Sequence, residues 1–212
     1  MYDNRRQAGE ILAAELASRS YADISLFAVP RGGIVVAAPV AERLGVPIGI
    51  LVTRKIGHPA NPEVAIGAVM GDGTAVLDED LIRAYAIPQE YIDRAIAREF
   101  AEIKRRLLAY TGSDAPPAIA GRTAVLVDDG IATGYTIRAA ITWLKTRSPA
   151  GIVVAVPVAP PETVAAIAAD VDEIICPLQP AFFMAVGQHY REFGQNSDAE
   201  VVAILKEVNR RK

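Results

Sequence analysis

A single cysteine in 212 residues leaves no partner for an internal disulfide, and Cys176 lies in the apolar run "EIICPL". That placement predicts a buried core thiol in a reducing compartment. A strong excess of charge of either sign is also missing. Lys and Arg number 22 against 25 Asp and Glu, for a net charge of −3, so no global basic field argues for nucleic acid or an anionic membrane as the main partner. Long apolar runs are absent. The longest, such as "IVVAVPVA", fall far short of the ~20 residues a membrane span requires, and "MYDNRRQAGEILAAEL" has no signal-peptide core. These absences predict a cytoplasmic protein. Neither GxxxxGK[ST] nor GxGxxG occurs, which removes the P-loop and the dinucleotide fingerprint. No internal repeat and no low-complexity tract is present.

What remains is an alternation. The β-branched runs "ISLFAVP", "IGILVTRK", "TAVLVDD", "GIVVAVPVA" and "EIICPL" read as short buried strands. Between them lie the helical stretches "IVVAAPVAERLG", "TIRAAITWLKTR" and "PETVAAIAADV". Buried strands joined by helices imply an α/β fold, a mostly parallel sheet covered on both faces. Pro39 interrupts the first of these helical patterns and predicts a late start or a kink. "DNRRQAGEILAAELASR" predicts a helix with Asp3 as N-cap, and "SDAEVVAILKEV" one with Ser197 and Glu200 as a capping box. A long helix follows Pro88, with Ile92, Ile96, Phe100, Ile103 and Leu107 on one face, and "TGSDAPPAIAG" after it reads as a linker. The expected organisation is one domain over 1–212: a core at about 24–176, a helical insertion at about 80–115 and a small C-terminal segment at about 177–196.

The chemistry concentrates in "VLVDDGIATGYT", residues 125–136. A strand leads into Asp128 and Asp129, then into a turn of small residues that opens a helix. Such a turn aims backbone N–H groups and the positive end of a helix dipole at one point, which suits a phosphate monoester. The amides around Ala132 to Thr136, with the Thr133 and Thr136 hydroxyls, form the expected cradle, and Gly130 and Gly134 allow close approach. Two carboxylates beside an anion site need another target. A vicinal diol donates hydrogen bonds to them, and they stabilise positive charge developing nearby. A ribose bearing a 5′-phosphate offers both.

This run resembles the binding motif for phosphoribosyl pyrophosphate (PRPP) in type I phosphoribosyltransferases: apolar residues, two acids, then a small-residue turn ending in Thr-Gly-x-Thr. The resemblance implies transfer of the 5-phosphoribosyl group of PRPP to a nitrogen of a nucleobase or base-like acceptor, with release of pyrophosphate. It also implies Mg²⁺ bridging the diphosphate and the ribose hydroxyls at Asp128 and Asp129, and a homodimer. "VPRGGI", residues 29–34, is similar to the family's pyrophosphate loop, which often carries a cis peptide there. Arg31 with the amides of Gly32 and Gly33 would hold the diphosphate, though Gly-Gly also permits a tight strand-to-helix turn. "TRKIGHPANPEVAIGAV", residues 53–69, stands where similar enzymes carry a mobile loop, with Lys55 expected on the leaving pyrophosphate and the roles of His58 and Glu63 open.

"PAFFMAVGQHYREFGQ" resembles the hood of hypoxanthine-guanine enzymes. There Phe183 would stack on the base and Val186 and Gly187 would offer backbone contacts, with a core phenylalanine as the other reading. Tyr135, inside the turn, belongs to the same expected substrate-binding set. The hood departs from the pattern, since "CPLQP" replaces the expected purine-reading Lys and Gln188 and His189 stand near the expected acid. Two rivals are a PRPP-sensing regulator that keeps the fold without catalysis and a dinucleotide-dependent enzyme. The first lacks an added nucleic-acid-binding segment; the second lacks its glycines.

Overall fold

The computed structural model describes residues 1–111 and 118–210, with the Glu63 side chain also outside the described set. The linker expected after the long helix falls largely outside it. Five strands form the central sheet: β1 (Ile24–Ala28), β2 (Ile48–Ile50), β6 (Thr123–Val127), β7 (Gly151–Ala155) and β8 (Glu173–Ile175). They pair in parallel in the order β2-β1-β6-β7-β8. Each β-branched run therefore contributes a strand to this sheet, and side chains alternate between its faces. Leu26, Val125, Val127 and Val153 pack with Leu12, Ile34 and Val201 on one side. Phe27, Leu126, Ile152 and Val154 pack with Ile137, Trp143 and Ile167 on the other.

The first face is covered by α1 (Arg5–Ala17), α2 (Gly32–Leu44) and α7 (Asp198–Arg210), the second by α5 (Tyr135–Lys145) and α6 (Pro161–Ala168). α1 is capped by Asn4, whose side chain accepts from Gln7 N, and not by Asp3. Asp3 instead accepts from the Gln7 side chain and pairs with Arg191 at 2.8 Å. The capping box of α7 forms as expected: Ser197 N donates to Glu200 Oε2 and Glu200 N to Ser197 Oγ. α2 begins at Gly32 and runs through Pro39. Its proline ring is accommodated because α1 crosses there at Gly9, where a Cβ would lie 2.3 Å from Val36 O and 3.1 Å from Pro39 Cγ. Tertiary packing outweighs the lost backbone hydrogen bond.

Between β2 and β6 lies an insertion that is only partly helical. The expected loop over 53–69 is an antiparallel pair, β3 (Arg54–His58) and β4 (Asn61–Val69), joined by β5 (Ala75–Leu77) into a three-stranded sheet. "IGILVTRK" thus splits between two sheets. Gly57 and Pro62 suggested a loop, but the ladder absorbs them by shifting register around Gly57. The small sheet is buried through Ile56, Ile66 and Val69, and α3 (Glu79–Ala84) and α4 (Gln89–Thr111) follow it. α4 buries Ile92, Ile103 and Leu107 from the anticipated stripe. Among the described residues no helix is long and apolar enough to cross a membrane.

Candidate active site

β1 leads into α2 on one face of the sheet and β6 into α5 on the other, so the chain diverges between the carboxyl ends of these neighbouring strands. Such a switch point opens a crevice by topology alone. A cleft of about 500 Å³ lies there, within the range that encloses small ligands. Arg31 and Gly32 enter it from the turn after β1, Asp128, Asp129, Tyr135 and Thr136 from the turn after β6, and Lys55 from β3.

The two turns interlock. The peptide bond between Pro30 and Arg31 is cis. A Cβ on Gly32 would lie 1.9 Å from Asp129 Oδ2, so this position admits no side chain while the aspartate stays in place. Gly33 lies under the Asp128 backbone, where a Cβ would come within 3.0 Å of the Asp128 Cα. Asp128 Oδ1 accepts from Asp129 N at 2.8 Å, and Asp129 Oδ2 accepts from Arg5 Nε at 2.7 Å. The arginine thus pairs with Asp129, and the Asp128 carboxylate is met by a backbone amide. Burial, and next the neighbouring Asp129 charge, push the Asp128 carboxyl well above the usual carboxylate range.

Past the acids, Gly130 lies under Val186, and Gly134 takes a left-handed conformation (φ 78°) immediately before α5. Ala132, Thr133, Tyr135 and Thr136 are exposed around the start of that helix. Its first amides lack intrahelical acceptors, which is the property an anion cradle needs. Arg31 is half-exposed with Asp198 3.8 Å away. Arg54, beside Lys55, is held by the buried Glu99 at 2.9 Å. His58 ends β3, where its Nδ1 accepts from Ala60 N and its ring meets Tyr85 edge-on.

Phe183 lies outside the cleft lining: its ring stacks on His189, with centroids 5.3 Å apart, in a small cluster with Tyr2, Val158 and Tyr190. Val186 belongs to the same cluster. The segment instead contributes Phe193, Gln195 and Asn196 to the cleft, and α1 contributes Arg5. No local pattern marked these. Arg5 and Phe193 come together from opposite ends of the sequence, the guanidinium carbon 3.8 Å above the ring centroid. Arg54 and Arg106 also line the cleft; Arg54 was visible in the sequence only as the neighbour of Lys55.

Residues 3–192 match the Phosphoribosyl transferase domain. The chain belongs to that family. Two relatives from Mycobacterium tuberculosis, strains CDC 1551 and H37Rv, carry phosphoribosyl transferase in their names; each is 42% identical over 211 residues, 99% of this chain. The chain spans about half of their length, 47%. The solved structure of TT1426 from Thermus thermophilus is similar at 40% identity and TM-score 0.83, covering 97% of this chain and 98% of that one. A purine phosphoribosyltransferase from Pyrococcus horikoshii shares the fold at 17% identity and TM-score 0.50, over 93% and 97% of the two chains. In this phosphoribosyl transferase domain the matched span takes in both turns of the cleft and ends one residue before Phe193.

Proposed function

We propose that the protein transfers the 5-phosphoribosyl group of PRPP to a nitrogen of a nucleobase or base-like acceptor and releases pyrophosphate. One observation carries this reading: two acids, the start of α5 and the Arg31-Gly32-Gly33 turn meet at one switch-point cleft. The start of α5 receives the 5′-phosphate, with Thr133 and Thr136 adding hydroxyl donors. Arg31, the Gly32 and Gly33 amides and Lys55 receive the diphosphate. Asp128 and Asp129 accept from the ribose hydroxyls and favour positive charge developing at C1′ as the diphosphate departs with its bonding pair.

The donor set also fits Mg²⁺. Arg5 pairs with Asp129 while Asp128 Oδ1 accepts from a backbone amide, and oxygen ligands left short of positive charge suit a hard divalent cation. Asp128 and Asp129 would hold it through water or the ribose hydroxyls, and it would supply charge neutralisation for the leaving diphosphate.

The test is a panel of nucleobases incubated with PRPP and Mg²⁺, with pyrophosphate release as readout and thermal stability followed in parallel. Release with at least one acceptor, and a PRPP-dependent rise in Tm that Mg²⁺ enlarges, are the expected results. Binding without release across the panel would favour a PRPP sensor, and no Tm shift at millimolar PRPP would remove the reading altogether.

A further inference from the structure

Arg5 pairs with Asp129 of the acid pair, and no motif contains it. Its side chain is only 11% exposed and Asp129's 17%. Three fixed partners immobilise the guanidinium: Nε donates to Asp129 Oδ2 at 2.7 Å, Nη1 donates to Gly194 O at 2.8 Å, and the Phe193 ring lies beneath at 3.8 Å. Its planar fork cannot rotate to keep one hydrogen bond without losing the other. Gly32 supplies the room, because a Cβ there would strike both Asp129 Oδ2 and Arg5 Nε, the latter at 2.7 Å.

The Asp129 backbone is held by the same assembly. Tyr190 donates its hydroxyl to Asp129 O at 2.5 Å. Residues 2–3 and 189–192 are zipped by Tyr2 N to His189 O, Arg191 N to Tyr2 O and Glu192 N to Asp3 O. Asp129 is thus gripped at its carboxylate and its carbonyl by two segments tied to each other.

We propose that Arg5 is a positioning residue for ribose recognition, an inference that rests on the phosphoribosyl reading above. By occupying Asp129 Oδ2 it sets the plane of the carboxylate and leaves Oδ1 as the oxygen that accepts from a ribose hydroxyl. It also removes one negative charge from beside the phosphate cradle. The second effect acts on any phosphate ester; the first acts only on one that carries the diol.

That distinction sets the experiment. Calorimetry would measure ribose 5-phosphate and its 2,3-dideoxy analogue, which keeps the phosphate but lacks the diol, against the wild type, Arg5→Gln, Arg5→Lys and Phe193→Leu. The wild type is expected to favour ribose 5-phosphate by about tenfold or more, the scale of one hydrogen bond to a charged group. Arg5→Gln should reduce that preference to about twofold or less, Arg5→Lys should restore part of it, and Phe193→Leu should lower it less than Arg5→Gln. Should Arg5→Gln fold poorly, the ordering of Arg5→Lys and Phe193→Leu below the wild type still decides. Equal weakening of both ligands in every variant, or an unchanged preference, would overturn the inference. A wild type that binds neither ester would overturn the phosphoribosyl reading first.

Discussion

The turn after β6 is assembled from consecutive residues and then clamped by Arg5 and Tyr190, whereas the segment from 177 to 196 draws its fixation from residues far away in the sequence. In the first, a buried strand delivers Asp128 and Asp129, Asp128 Oδ1 accepts from the next residue's amide, and a left-handed Gly134 starts α5. In the second, one 3-10 turn at Val186–His189 is the only helical or strand element among the described residues, and fixation comes from Tyr2, Asp3 and Arg5. The two touch where Val186 covers Gly130. A region whose parts are consecutive announces itself as a motif, whereas one assembled at long range does not.

The largest effect that could break this contrast concerns the first region's chemistry. Asp128→Asn with Asp129→Asn should lower PRPP-dependent pyrophosphate release by ~10²-fold or more, the usual scale for deleting a preorganised electrostatic partner. Full turnover in the double variant would make both acids structural. For the second region, Tyr2→Ala removes a buried ring that packs on Tyr190 at 5.4 Å and a hydroxyl that donates to Pro157 O. A stability loss of about 3 kcal/mol in urea denaturation is expected. A loss below ~1 kcal/mol would mean the segment stands without its remote partner.

The contrast also explains what could be read beforehand. The five strands were legible because burial on both faces demands uninterrupted β-branched runs, and the acid turn because all its parts are consecutive. The β3–β4 pair was hidden by Gly57 and Pro62, which suggest a loop locally yet sit in a ladder supported by Ile56 and Ile66 beneath. The cleft wall was hidden for a different reason. "FFM" drew attention to Phe183, but Phe182 is 93% exposed, Phe183 packs on His189, and the ring beside the acids is Phe193. Only the three-dimensional approach of Arg5 distinguishes Phe193 from Phe183. Accordingly, Phe183→Ala should cost about 1–2 kcal/mol of stability while leaving PRPP affinity unchanged within experimental error. A selective loss of acceptor use would return Phe183 to the site.

A smaller effect separates the two acids themselves. Asp128's folded-state pKa is raised by burial and by Asp129. The folded form therefore keeps a proton that the unfolded chain releases, and stability falls as pH rises from the unfolded value through the folded one. Asp128→Asn should raise Tm at neutral pH, with the advantage shrinking below the normal Asp range. A lower Tm at pH 7 would show that the charge is welcome where it stands. The smallest effect is expected at Cys176, whose thiol is pushed up to about 11 by burial. Alkylation at pH 8 should be negligible in the native protein and prompt in denaturant; labelling of the folded form would show that the end of β8 opens.

The pairing of residues 2–3 with 189–192 makes the position of Asp129 a property of the whole domain rather than of its own turn. Arg5 and Gly194, which meet at the clamp, lie 189 positions apart. Closing a contact over so long a span costs more chain entropy than any contact inside the acid turn. Whatever loosens either end of that pairing therefore frees Asp129 without touching the residues of its motif.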